Sequence, residues 1–169
     1  NGKLVTNKKY YKYNAKTYYK IAKNGRAKKL SAVETLAAIR LKKCGGNLKK
    51  AFNWSSSVRY AGNYNVANKN VANYAKFGFQ TGRGDCYVQA ATFYQMAKVA
   101  GYDAKYVKGS VNKGKGLAPH AWVEIKSNGK TYVYDPNFQS EFGKKGYTGY
   151  KITYGQKGTL QYVKTSKGR

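Results

Sequence analysis

The chain has 169 residues, of which 41% are apolar, and its 33 Lys or Arg residues against six Asp or Glu give a formal net charge of +27. This length suits one compact domain with a single core, and no run of residues approaches the ~18–20 apolar positions of a membrane-spanning helix. The charge predicts attraction to polyanions, but only five of the basic residues are arginine. We therefore expect a diffuse electrostatic anchor on an anionic surface such as cell-wall polymer, with no specific nucleic-acid recognition.

Residues 1–29 form a basic, aromatic segment with nine lysines, five tyrosines and no acidic residue. Its NKKYYKYNAKTYYK run, flanked by NGK and KNG, predicts a strand-turn-strand unit. The segment resembles the aromatic, glycine-punctuated cell-wall-binding repeats of bacterial surface proteins; a basic arm packed along residues 30–169 is the alternative interpretation. Because the chain begins at Asn1 without a signal peptide, we expect an excised piece of a longer protein. The resemblance to wall-binding repeats, and not the start of the chain, leads us to expect a protein that is secreted or attached to the cell surface.

A helical pattern begins after this segment. Ser31 and Glu34 have the spacing of a capping box, and the two glycines at 45 and 46 predict the end of that helix. Asn47 is expected to cap a second helix that extends through Tyr60. A third, shorter helix is predicted over residues 65–77.

Residues 82–86 read GRGDC, and the apolar pattern that follows makes Cys86 the first residue of a helix. Asp85 stands at the N-cap position of this helix and Gly101 at its C-terminal cap. The partial positive charge of a helix N-terminus favours a sulfur anion, so this position suits a thiolate nucleophile. A disulfide between Cys44 and Cys86 is the alternative in an exported protein; we favour a free Cys86, with Cys44 as a small apolar residue.

Beyond Gly101 the apolar period changes from about four to two. The pattern predicts strands over residues 102–109, 119–126 and 130–135, a Gly- and Lys-rich loop over 109–117, and one more hairpin around Gly155 and Gly158. Helices come first and strands follow, so the predicted fold class is α+β.

A two-residue turn at Asn128 and Gly129 sets the register of the predicted hairpin. In this register Trp122 lies opposite Asp135, and His120, the only histidine, lies opposite Asn137. Asp135 is then the diagonal neighbour of His120 on the same face, within reach of an imidazole. The sequence therefore predicts a contact between His120 and Asp135.

Cys86, His120 and Asp135 supply a nucleophile, a base and an orienting carboxylate in chain order. Each has a structural interpretation when taken alone, as a packed thiol, a strand histidine or a turn aspartate, but their combination favours catalysis. The Cys86 amide is the expected first donor to an oxyanion. Further candidates for the oxyanion site or the cleft are Trp54, Tyr60, Tyr64 and Trp122.

The segment 82–136 resembles the core of the transglutaminase-like superfamily of papain-like cysteine enzymes in its G-x-G-D-C, AGYDAKYVKG, HAWVEI and Y-DP motifs. The resemblance implies an α+β fold with the nucleophile helix packed on an antiparallel sheet, and Cys86, His120 and Asp135 as the catalytic triad of a domain spanning residues 30–169. It implies acyl transfer on a peptide or protein substrate, with hydrolysis favoured. The alternatives are a cross-linking transglutaminase and a non-catalytic polyanion-binding module. With one histidine and two cysteines, we expect no metal and no cofactor.

Overall fold

The computed structural model describes residues 2–6, 9–13, 18–21, 27–112 and 114–165. Its helices are α1 (Ala32–Lys43), α2 (Leu48–Ser56), α3 (Val71–Thr81), α4 (Cys86–Ala100) and α5 (Pro136–Phe142). Its strands are β1 (Gly2–Thr6), β2 (Lys9–Tyr13), β3 (Tyr18–Ile21), β4 (Ala27–Lys29), β5 (Arg59–Tyr60), β6 (Arg83–Gly84), β7 (Asp103–Asn112), β8 (Leu117–Ser127), β9 (Lys130–Tyr134) and β10 (Gln161–Lys164). None of the helices in these ranges is long and apolar enough to cross a membrane.

The core lies between α4 and an antiparallel sheet whose strand order is β10-β7-β8-β9. Phe93 and Ala97 of α4 are fully buried in one apolar cluster with Ala121, Val123 and Ile125 of β8. Helices α1, α2 and α3 pack against other faces of α4. Helix α4 is therefore surrounded on all sides, which explains why 12 of its 15 residues are buried. The α+β prediction, with the Cys86 helix on an antiparallel sheet, is confirmed.

The hairpin register is confirmed up to Tyr134, because Ser127 pairs with Lys130, Glu124 with Val133 and Val123 with Tyr134. Beyond that residue the prediction was wrong. Asp135 does not continue the strand opposite Trp122 but caps α5, and Asn137 lies in that helix rather than opposite His120. Pro136 explains the change, since proline has no N–H for a sheet but suits the first position of a helix.

The predicted bounds were accurate for the first helix, accurate only at the start for the second, and wrong at both ends for the third. The Ser31–Glu34 capping box starts α1, which ends at Lys43 just before the glycines. Helix α2 stops at Ser56 instead of reaching Tyr60, because the chain turns into β5, a short parallel partner of β6. The third helix was placed too early. It starts after Asn70, whose side chain accepts from the amide of Asn73 at 2.9 Å, and it runs to Thr81 rather than over residues 65–77.

The strands of the main sheet are longer than predicted. Strand β7 continues to Asn112 and β8 begins at Leu117, so the predicted loop over residues 109–117 is mostly paired strand. The predicted tail hairpin is also wrong. Strand β10 pairs with the open edge of β7, while Ile152 forms a separate bridge to Val133. Long-range pairing to an edge strand leaves no local sequence signal, which is why the pattern suggested a hairpin.

In the N-terminal segment, β1 to β4 form an antiparallel sheet in chain order, which extends the predicted strand-turn-strand unit to four strands. The turns predicted between the strands lie outside the described residues. That residues 1–29 act as a separate wall-binding arm stays a prediction.

Candidate active site

Cys86 begins α4 and is almost fully buried. The Asp85 carboxylate caps the helix by accepting from the amides of Tyr87 at 2.9 Å and Val88 at 3.3 Å. Gly84 has a φ of +152°, and a Cβ added there would lie 2.4 Å from Cβ of Val88. Only glycine permits this close approach of the chain to the helix. The glycine before Asp85 in the GRGDC motif therefore allows Cys86 to lie at the start of α4.

The Cys86 amide is the one N–H of the first helical turn without an acceptor among the residues that the structure describes. Asp85 accepts from the next two amides through its side chain and from Gln89 N through its carbonyl at 2.9 Å. A helix start normally leaves such amides for caps, water or ligands. The Cys86 amide is therefore available to an acceptor from a ligand; that this acceptor is an oxyanion stays a prediction.

His120 lies on β8, opposite Gly109 of β7, and its side chain is buried. Its Nε2 is 2.8 Å from Oδ2 of Asp135. Cys86 also acts on the imidazole, since it contributes to raising the pKa of His120. Because Asp135 engages Nε2, Nδ1 is the ring nitrogen left for an interaction with the thiol. The predicted His120–Asp135 contact is confirmed, although Asp135 reaches it from a helix N-cap and not from a strand. The structure thus brings the three predicted residues together.

Two opposing influences set the charge of His120. Burial lowers the pKa of the imidazole, but the Asp135 charge and hydrogen bond, helped by Cys86, outweigh burial and raise this pKa to about 10. At neutral pH the ring is then an imidazolium between a carboxylate and a thiol. A positively charged imidazole beside a cysteine is the surrounding in which cysteine nucleophiles react.

Asp135 is fully buried, and the hydrogen bonds around it fix its orientation. Oδ1 caps α5 by accepting from the amide of Phe138 at 3.0 Å, and Oδ2 accepts from Tyr162 Oη at 2.9 Å as well as from His120. Its backbone N–H donates to the Gly149 carbonyl at 2.8 Å. A Cβ on Gly149 would lie 2.3 Å from the Asp135 carbonyl oxygen, so the approach requires glycine.

Trp122, a predicted cleft residue, is fully buried with its ring centroid 6.3 Å from that of His120. Its Nε1 donates to Tyr154 Oη at 2.7 Å, Tyr154 donates to Glu124, and Lys164 pairs with Glu124 at 2.5 Å. This polar chain holds the indole in the sheet. Trp122 therefore packs beside the histidine, and a role in lining the cleft stays a prediction.

The upstream candidates lie in different surroundings. Tyr64 donates its hydroxyl to Asp85 at 2.6 Å, and its pKa is raised by burial, by this bond and in small part by Cys86, so it lies at the nucleophile. Tyr60 is 63% exposed and pairs with Gly84 through the β5–β6 ladder. Trp54 stacks on Phe79 at 5.7 Å in the packing among the N-terminal helices, and the structure shows no contact with the triad.

Sequence reasoning missed a buried bridge between α4 and α5. Gln89, one turn after Cys86, donates to the Val58 carbonyl at 2.7 Å and accepts from Asn137 Nδ2 at 3.0 Å. The spacing of Gln89 from Cys86 on one helix face was the available signal. Asn137 and Tyr162 had none, since they reach the site through α5 and β10.

A groove of about 510 Å³ lies between the α2–β5 connection and α5. Arg59, Tyr60, Gln139 and Lys144 are among its lining residues. None of the three triad residues lines this groove, and its link to the site is Tyr60, which pairs with Gly84, two residues before Cys86. Within the part of the chain that the structure describes, no group of three or more His, Cys, Asp or Glu side chains could hold a metal ion. Both Cys44 and Cys86 are free thiols, as favoured from the sequence.

Residues 34–136 match the transglutaminase-like superfamily, which is more than half of the chain. The protein belongs to this superfamily, whose enzymes depend on a catalytic cysteine. No curated protein matches the chain in sequence.

The fold is similar to that of a candidate cysteine protease from Cytophaga hutchinsonii, with 18% identity, a TM-score of 0.50 and coverage of 62% of this chain and 37% of that one. Two further structures are similar at lower scores. A protein described as a TGase has 15% identity, a TM-score of 0.49 and coverage of 63% and 31%. An arylamine N-acetyltransferase from Bacillus cereus with a Cys-His-Glu triad has 17% identity, a TM-score of 0.48 and coverage of 66% and 51%. The chain thus spans about a third to a half of these proteins.

Proposed function

We propose that the protein is a cysteine hydrolase that cleaves peptide or isopeptide bonds, in protein or in cell-wall peptide, through a thioester on Cys86. The observation that carries this proposal is the buried His120, whose Nε2 lies 2.8 Å from Asp135 Oδ2 and whose pKa is raised by Asp135 and Cys86 together. Membership of a superfamily of cysteine-dependent enzymes supports the reaction class.

In the first step the Cys86 thiolate attacks the carbonyl carbon of the substrate amide. The carbonyl electron pair moves to oxygen, and the resulting oxyanion accepts from the Cys86 amide. Collapse of this intermediate breaks the C–N bond, and the His120 imidazolium gives its proton to the departing amine. A thioester on Cys86 and a neutral His120 remain, while Asp135 holds the ring in position.

In the second step a water molecule attacks the thioester carbon, and His120 takes up its proton. Collapse of the second tetrahedral intermediate releases a carboxylic acid and restores the thiolate–imidazolium pair. A lysine amine in place of the water would give a cross-link instead, so hydrolysis and transglutamination share one thioester. The groove beside Tyr60 suits a substrate that carries negative charge, since Arg59 and Lys144 line it and no acidic residue does.

The partition between water and amine is the first prediction. A peptide that contains Gln and an internal scissile bond is incubated with the protein and a labelled primary amine, and products are followed by mass spectrometry. We expect hydrolysis products in excess of amine adducts, and we expect both to be absent with Cys86→Ala. Amine incorporation with no cleavage would replace the hydrolase proposal with the transglutaminase alternative.

A second candidate function, binding to an anionic surface, is favoured by the net charge of +27. Attraction of this kind is screened by salt, whose Debye length falls from about 10 Å at 0.1 M to about 3 Å at 1 M. We predict that the protein sediments with wall polymer that carries phosphate or carboxylate groups at 0.1 M NaCl and is released at 1 M NaCl.

The Cys86→Ala variant is the matched control for this binding, because it leaves the net charge unchanged. It should bind and release like the wild type, which separates anchoring from catalysis. Retention at 1 M NaCl would contradict an electrostatic anchor.

A further inference from the structure

The C-terminal strand β10 contributes a side chain to the site from outside the region that matches the superfamily, which ends at residue 136. Tyr162 donates its hydroxyl to Asp135 Oδ2 at 2.9 Å, the same oxygen that lies 2.8 Å from His120 Nε2. Its ring centroid lies 5.0 Å from that of Trp122 and 6.5 Å from that of His120. The tyrosine therefore contacts the orienting carboxylate directly and packs against the side chains around it.

The backbone is shaped to bring β10 to this place. Tyr162 pairs with Val111 of β7, and Lys164 pairs with Gly109, the residue opposite His120. A Cβ on Gly109 would lie 2.2 Å from the Val163 carbonyl oxygen and 2.7 Å from the Trp122 ring. Any larger residue would push β10 away from the sheet, so the absence of a side chain at this position allows the tyrosine to reach Asp135.

We infer that Tyr162 is a positioning residue for the proposed reaction. Its hydrogen bond to Asp135 fixes the orientation of the carboxylate and weakens the attraction between this carboxylate and the protonated His120 ring. The inference rests on the proposed function, because it assumes that Cys86 and His120 react as a pair.

The chemistry of the shared oxygen gives the direction of the effect. A hydroxyl that donates to an ionised carboxylate partly neutralises its negative charge. The imidazolium bonded to the same oxygen is then stabilised less by the carboxylate. Burial, followed by the Asp135 charge, raises the pKa of Tyr162 far above its ordinary value, which keeps the phenol a donor throughout the working pH range. Without this donor, Asp135 should hold the proton on His120 more strongly.

The titratable groups around the pair are few in the part of the chain that the structure describes. Cys86 faces His120 from α4, Asp135 faces it from the start of α5, and Tyr162 faces both from β10. Tyr154 lies behind Tyr162, with centroids 5.9 Å apart, and leads on to the ion pair of Glu124 and Lys164. A change at Tyr162 is thus transmitted to His120 chiefly through Asp135.

The test uses the fact that His120 is the only histidine of the chain, so its imidazole gives an NMR titration that needs no assignment. In Tyr162→Phe the ring remains and only the hydroxyl is lost, and Asp135 Oδ2 keeps its bond to His120, so we expect the variant to fold. The His120 titration should move to higher pH by roughly half a pH unit. The alkaline decline of amide cleavage, a reaction in which His120 gives its proton to the departing amine, should move in the same direction.

Two controls separate positioning from packing. Tyr147→Phe removes a hydroxyl from a tyrosine that is 47% exposed, and it should leave the His120 titration unchanged. In an Asp135→Asn background, Tyr162→Phe should no longer move that titration, because the charge through which the tyrosine acts is gone. Two results would overturn the inference. In one, His120 of Tyr162→Phe titrates at the same pH as His120 of the wild type. In the other, Tyr162→Phe raises the His120 titration midpoint in the Asp135→Asn background as much as it does in the wild type.

A second pair of variants keeps the test decisive if Tyr162→Phe does not fold. Tyr162→Gln keeps a donor and Tyr162→Leu keeps none, so the His120 titration of the Leu variant should lie at higher pH; equal titrations count against the inference. Failure of the proposed function has another signature, in which Cys86 of the wild type is alkylated no faster than an ordinary thiol. A fast wild-type reaction with no response to Tyr162 would overturn the inference alone.

Discussion

Replacing Cys86 by alanine is expected to abolish amide cleavage, with a fall in kcat on the order of 10⁴-fold or more, because no other group in the site can form the thioester. Alanine keeps the helix start and the Asp85 cap, and the lost sulfur leaves little space behind. The midpoint of thermal unfolding should therefore stay close to that of the wild type. Activity is measured on a peptide substrate and folding by a thermal melt.

Cys44→Ala provides the matched control. Cys44 is the other free thiol and lies at the end of α1, packed against the cluster of Leu41 and Ala51. Burial raises the pKa of its thiol, so it should react slowly with iodoacetamide, and its replacement should leave cleavage intact. Mass spectrometry of briefly alkylated protein should find the label on Cys86. Cleavage that survives in Cys86→Ala would remove the thioester mechanism.

The sequence predicted the parts of the site that depend on local signals. A helix cap and glycine spacing located Cys86 at the start of α4, and the Asn128–Gly129 turn determined the pairing of β8 with β9. Both signals act over a few residues, so neither needs knowledge of the rest of the chain. The register predicted a contact between His120 and Asp135. The contact exists, but because of the proline that follows it, Asp135 makes the contact from the N-cap of α5 and not from a strand.

The remaining parts of the site depend on contacts between distant residues. Tyr162 reaches Asp135 because β10 pairs with β7, and Asn137 reaches Gln89 because α5 packs on α4. The packing of the whole core determines such pairings, because the unpaired N–H and C=O groups of an edge strand can pair with many different segments. The start of α3 was also hard to predict, because its Asn-rich stretch offers several possible caps. Asn68 and Lys69 have positive φ, so the helix begins only after them, at Val71.

Asp135→Asn is expected to lower kcat/KM by about 10²–10⁴-fold while the fold is retained. Asparagine can still cap α5 with its one oxygen, but it then turns an amide nitrogen instead of an acceptor toward His120, and it brings no charge. Its effect should therefore appear on His120, whose pKa is raised to about 10 largely by the Asp135 carboxylate. The single histidine resonance should titrate at clearly lower pH, and the alkaline limit of activity should move down with it. Asp103→Asn, at an exposed position at the start of β7, is the control and should leave both unchanged.

The same substitution makes a prediction about stability whose sign follows from linkage. A histidine whose pKa is raised on folding stabilises the folded state fully at pH values below its ordinary pKa of 6.5, and that contribution is lost as pH rises through about 10. The wild type should accordingly lose free energy of unfolding between pH 6 and pH 10, and Asp135→Asn should lose less. The gap between the two proteins is then widest at pH 6 and narrows toward pH 10, as urea unfolding at pH 6, 8 and 10 would show. A gap that stays constant over this range would mean that Asp135 stabilises the fold through its cap alone and does not hold the proton on His120.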